Sequence, residues 1–143
     1  MERMFRVLEG LIPKDFYFAD IKHGQESGLI ITLTGKSNIV EFDFGNADAV
    51  RIIDEGIANI FFPNIDCSKE IKCGFENVIY EIKGDAFSDE ICEMSGGILT
   101  EKEIKHYYIV TFLYVIDIVG RYVDEGFYIT INGIRYYSED YNK

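Results

Sequence analysis

Two runs of alternating residues constrain this chain more than any other feature. From Leu29 to Thr34, Leu29, Ile31 and Leu33 take one face while Ile30, Thr32 and Thr34 take the other. From Ile39 to Phe44, Val40, Phe42 and Phe44 alternate with Glu41 and Asp43. A period of two places every second side chain on one side of an extended backbone, so each run reads as a strand with one buried face. Gly35-Lys-Ser-Asn38 between them has hairpin length, which predicts an antiparallel pair.

Other segments extend this pattern. Residues 16–23, Ala47 to Ile53, Ile57 to Phe62, Val78 to Ile82 and Phe127 to Asn132 read as further strands. Asp54-Glu55-Gly56 has turn chemistry, and residues 64–76 are mixed and polar, which predicts a loop. The run His106 to Gly120 is too long and apolar for one half-exposed strand. It divides into two central strands, about 105–112 and 114–120, with a tight connection near Leu113. One helix is expected over Asp85 to Ser95. Ala86, Phe87, Ile91 and Met94 recur near helical spacing, Asp85 or Ser88 can cap the start, and Gly96-Gly97 stops it. The last residues, 134–143, read either as an extra edge strand or as a flexible tail. The expected fold is mainly β (α+β): a single domain over 1–143, an antiparallel β-sandwich or strongly curved sheet with one short helix. The 10 Tyr and 11 Phe among 143 residues favour this, because aromatic side chains fit a pleated, half-buried surface.

Charge narrows the function. The formal net charge is −11, from 14 basic and 25 acidic residues. Covering nucleic-acid phosphates or an anionic membrane needs clustered Lys and Arg, so neither partner is expected. The acidity is uneven. Residues 1–40 hold five acids and five bases, 94–143 hold seven and five, and 41–93 hold thirteen and four. Such a middle third either keeps a solvated face soluble or steers a basic partner. The N-terminal residues mix charges with apolar residues, so no signal peptide is expected, and no stretch reaches the roughly 20 apolar residues of a membrane helix. A cytoplasmic location follows as an expectation. Cys67, Cys73 and Cys92 form no CxxC pair, so reduced thiols are expected and no zinc site.

Catalytic patterns do not emerge. No GxGxxG, GxxxxGK[ST] or GxSxG motif occurs, so no cofactor is implied. A lone His at the start of a buried strand, as His106 is, is more often a satisfied core or rim residue than a base. His23 beside a Gly turn reads as exposed. The acid pairs Asp54-Glu55 and Asp89-Glu90 sit where a turn and a first helical turn favour them for backbone and dipole reasons. Eight tyrosines fall at or after Tyr107, where any on the surface would make good interface anchors.

Two stretches carry a resemblance. Val40-Glu-Phe-Asp-Phe-Gly-Asn with Val50-Arg-Ile-Ile-Asp-Glu-Gly forms the first. The second is Asp85-Ala-Phe, Ser95-Gly-Gly-Ile, His106-Tyr-Tyr-Ile-Val-Thr and Val115-Ile-Asp-Ile-Val. Together, over roughly 28–130, the chain resembles small bacterial proteins encoded beside secreted toxins, candidate immunity proteins. The chain departs from that pattern at Phe112-Leu113-Tyr114, where a polar turn would stand; either the turn lies elsewhere or the stretch is an apolar tip available for binding. The resemblance and the acidic middle third together lead to a non-enzymatic inhibitor of a basic toxin domain such as a nuclease. Its contact residues would be Asp54, Glu55, Asp85, Asp89, Glu90 and Glu93, the helix acids facing solvent. The alternative is a structural or assembly module, or a self-associating β domain.

Overall fold

A computed structural model describes residues 2–54, 65–66 and 77–141. Its strands are β1 (Glu2–Val7), β2 (Phe18–Gly24), β3 (Gly28–Thr34), β4 (Ile39–Gly45), β5 (Ala49–Asp54), β6 (Ile65–Asp66), β7 (Ile79–Lys83), β8 (Lys105–Val110), β9 (Tyr114–Gly120), β10 (Tyr128–Ile131) and β11 (Ile134–Tyr137). One helix, α1 (Ala86–Met94), joins β7 to β8, and a 3-10 turn at Ser138–Asp140 follows β11. The first sheet has the order β5-β9-β8-β7-β1-β6 and the second β11-β10-β4-β3-β2. Among the described residues, β1–β6 is the only parallel pairing. Among the described residues the fold is mainly β, a two-sheet sandwich with one short helix, as the alternation predicts. No helix among the described residues is long and apolar enough to cross a membrane.

The two inner faces share one core. Leu29, Ile31, Leu33, Val40, Phe42 and Phe44 from the second sheet meet Ile79, Tyr107, Ile109, Ile116 and Ile118 from the first. Aromatic rings bridge the sheets, with Tyr107 5.0 Å from Phe127 and 6.0 Å from Phe44. Burying side chains of this size supplies roughly 1.5–3 kcal/mol each, the main force holding the sheets together. Glu41 is exposed and Asp43 half-buried, as the alternation requires. The β2–β3 turn comes close to Gly45. At Gly28 (φ +69°) an added Cβ would meet the Gly45 carbonyl oxygen at 2.5 Å, so only glycine fits there.

The strands β8 and β9 are central and connect through Phe112-Leu113, where Thr111 N–H donates to the Tyr114 carbonyl at 2.9 Å. Of the two alternatives for the tail, the structure shows the edge strand: β11 pairs with β10 through Asn132-Gly133, both at positive φ. That Asn-Gly step is a strong hairpin signal. Two strands went unforeseen, β1 and the short β6. Arg3, Arg6 and Glu9 break the apolar rhythm at the N-terminus, yet β1 pairs with β7 over Arg3 to Val7. Within 64–76, Ile65–Asp66 forms β6 and not loop. The expected strand Ile57 to Phe62, the remainder of that loop, Glu55, Cys67 and Cys73 lie outside the described residues.

Candidate functional site

The outer face of the first sheet carries α1. Phe87, Ile91 and Cys92 pack against Leu99, Ile104 and Val119, with Ala49 of β5 in the same cluster. This corrects the expected apolar face, because Met94 is 75% exposed and Ala86 is also exposed. Phe87, Ser88, Ile91 and Cys92 form the inward side of the nine-residue helix, and Ala86 and Met94 lie outside it. Its end follows expectation. Ser95 Oγ donates to the Cys92 carbonyl, and Gly96 and Gly97 both take positive φ.

Beneath the helix start lies a chain of buried charges. Asp85 caps α1, its carboxylate accepting from Ser88 N–H at 2.8 Å and Ser88 Oγ–H at 2.9 Å. The same carboxylate accepts from His106 Nδ1 at 2.7 Å, and His106 Nε2 donates to Asp117 Oδ1 at 2.6 Å. Asp117 Oδ2 accepts from Arg51 Nε at 3.0 Å. The Arg51 guanidinium lies 4.1 Å from the Phe87 ring centre, and that ring meets His106 edge-on at 5.6 Å. Four elements converge here: β5 supplies Arg51, α1 and its cap Asp85 and Ser88, β8 His106, and β9 Asp117.

The chemistry of this cluster follows from its partners. Ionised carboxylates only accept, so a ring between two of them needs hydrogen on both nitrogens and is an imidazolium. Burial alone would lower the His106 pKa. The hydrogen bonds to Asp117 and Asp85 overcome that and push it up to about 9. Burial opposes ionisation of Asp85 too, but the His106 hydrogen bond and charge hold its carboxyl below the usual range. Two anions and two cations leave the cluster neutral overall, which is how His106, Asp85 and Asp117 stay buried at 2%, 5% and 0% exposure. Both ring nitrogens are engaged, and the Ser88 hydroxyl points at Asp85 and not at the imidazole. The arrangement therefore holds the helix to the sheet; it does not line up a nucleophile with a base. Among the described residues, no three His, Cys, Asp or Glu side chains are placed to hold a metal ion.

The acids expected at a partner surface divide. Asp89, Glu90 and Glu93 are exposed on α1, as expected. Asp85, expected to face solvent with them, is buried, because His106 lies across from it on β8. Asp54 is exposed, but it ends β5 opposite Tyr114. At about 3.3 Å per residue it stands some 16 Å along the strand from Ala49, where α1 packs, so it is not gathered with the helix acids. Glu55 lies outside the described residues. Glu101 and Glu103 join the helix acids from the following loop. Burial and the charges of Asp89, Glu101 and Glu103 raise the pKa of the Cys92 thiol and keep it protonated. A cleft of about 290 Å³ opens between this loop, α1 and the end of β7, with Glu81, Lys83, Asp89, Glu101 and Lys105 around it.

His106 is the satisfied core residue that its place in the sequence suggests, but the cluster it forms with Asp85, Asp117 and Arg51 was not foreseen. One signal did point to it: Asp117 interrupts Ile116 and Ile118 in a central strand, where a carboxylate needs a cation. No family model, no curated protein and no solved structure matches this chain.

Proposed function

We propose that this chain is a binding protein of the immunity type, which neutralises a cognate bacterial toxin domain through the acidic face of α1. The observation that carries the reading is the composition of that face. Asp89, Glu90 and Glu93 project to solvent from a helix with no Lys or Arg of its own, beside Met94 and Ile98 at 75% and 73% exposure. Acids steer a basic partner toward the surface, while exposed apolar side chains supply area to be desolvated on contact. The buried cluster supports the same reading from below. It fixes the helix, so little conformational freedom remains to be lost when a partner docks. A basic nuclease domain suits such a surface, because carboxylates can occupy the places where its cations receive phosphate.

The test is binding kinetics against a basic bacterial toxin nuclease domain, with Asp89→Asn and Glu93→Gln combined. Association should slow, and its dependence on salt should weaken. An unchanged rate and salt dependence would leave these acids as a solvated face and overturn the proposal.

A further inference from the structure

One edge of the second sheet, unpaired among the described residues, carries a pattern that matches itself. Strand β2 is the last strand of that sheet, and among the described residues it pairs only with β3. Its sequence is Phe-Ala-Asp-Ile-Lys-His-Gly. Phe18, Asp20, Lys22 and Gly24 are exposed, while Ala19 and Ile21 are half-buried against the core. An exposed edge presents unpaired backbone N–H and C=O groups to any strand that can align with it.

Phe18 is 49% exposed and belongs to an aromatic cluster with Phe16 and Phe112, whose ring centres lie 5.7 Å and 5.4 Å from it. Phe16 and Phe112 are themselves 57% and 41% exposed. The cluster is held rigidly. Phe112 N–H donates to the Tyr17 carbonyl at 2.9 Å. The Asp15 carboxylate accepts from the N–H groups of Phe16, Lys36 and Ser37 and from Asn38 Nδ2. Leu113 beside it stands at φ +78°, where glycine is the usual residue, so an exposed leucine is kept there against backbone strain.

We propose that β2 pairs with the β2 strand of a second copy, antiparallel about a two-fold axis through Ile21. In that register Asp20 faces the partner's Lys22, Lys22 faces the partner's Asp20, Ile21 faces the partner's Ile21, and Phe18 lies over the partner's Gly24. These pairings are favourable: two opposite-charge pairs, one apolar pair, and two aromatic rings covering glycines that have no side chain, while Ala19 faces the partner copy's His23. The two neighbouring registers, with the axis shifted by one residue, are not favourable. Centring the axis on Asp20 sets the two aspartates against each other, and centring it on Lys22 sets lysine against lysine. A strand whose charges alternate in sign about a central apolar residue selects its own copy over a uniformly charged partner.

The wider charge distribution permits this contact. Residues 1–40 are neutral, with five acids and five bases, whereas residues 41–93 hold thirteen acids and four bases. Two copies of a chain with net charge −11 repel least where they meet through the neutral segment. The acidic face of α1 lies on the other sheet and stays available in the pair.

Sedimentation velocity over a concentration series, from micromolar to millimolar protein, tests the proposal. The wild-type chain should show a reversible monomer–dimer equilibrium. Lys22→Asp alone and Asp20→Lys alone should each weaken self-association by about tenfold or more, because each sets like charges opposite one another twice. Mixing the two variants should restore dimer formation, since aspartates of one chain then face lysines of the other. Circular dichroism identical to wild type would show that these surface variants keep the fold. A wild-type chain that stays monomeric throughout the series, or a dimer unaffected by both single variants, would overturn the proposal. So would variants that fail to recover on mixing.

Discussion

Asp85 and Asp89 stand one helical turn apart at the start of α1, and their surroundings differ completely. Asp85 turns inward, accepts from Ser88 and His106, and is almost wholly buried. Asp89 turns outward with Glu90 and Glu93 and is exposed to water. The residue type is the same and so is the helix, so neither propensity nor composition separates them. What separates them is the strand below: β8 places an imidazolium opposite one acid, and nothing comparable lies opposite the other. The inner face therefore contributes to stability, and the outer face remains available for recognition.

This contrast can be broken most severely at the centre of the cluster. His106→Ala leaves Asp85 and Asp117 facing each other without their shared cation, and should cost about 3–5 kcal/mol in chemical denaturation. A loss below about 1 kcal/mol, the size of an ordinary neutral hydrogen bond, would contradict the pairing. The pH dependence of stability sharpens the same point. With a folded pKa raised from 6.5 to about 9, His106 contributes stability that is complete below pH 6.5 and lost as pH rises through 9. The full shift corresponds to about 3 kcal/mol. Asp85 behaves oppositely: its lowered pKa contributes stability present above 3.8 and lost as pH falls below that value. The cluster should stabilise the fold most between about pH 4 and pH 6.5, and unfolding free energies measured across that range and up to pH 10 would reveal the decline.

Smaller effects belong to the cap and to the outer acids. Asp85→Ala removes the cap as well as one His106 contact and should cost about 2–3 kcal/mol, whereas Asp85→Asn keeps the cap acceptor and should cost less. By contrast, Asp89→Ala and Glu93→Ala should each change unfolding free energy by no more than about 0.5 kcal/mol. If Asp89→Ala proved as damaging as Asp85→Ala, the division of α1 into an inner and an outer face would fail.

How much of this was legible depends on how local the signal is. The strands β3 and β4, the division of β8 from β9 near Leu113, and the Gly96-Gly97 stop are all written in neighbouring residues. Strand β1 was not legible, since Arg3 and Arg6 mask its alternation and its partner β7 lies more than 70 residues away. The His106 cluster joins residues 21 and 11 apart, and Arg51 reaches Asp117 across 66. No spacing rule links such positions, because the register of β5, β8 and β9 brings them together only after the sheet has formed. Asp85 was misplaced for the same reason. Helical periodicity orients a residue on its own helix but does not say what the neighbouring strand presents.

His106 stands as a buried imidazolium between two carboxylates, and nitrogen NMR of its ring measures that state directly. Both ring nitrogens should remain protonated through neutral pH and titrate only near 9. Titration near the unperturbed value of about 6.5, or a neutral ring at pH 7, would contradict it.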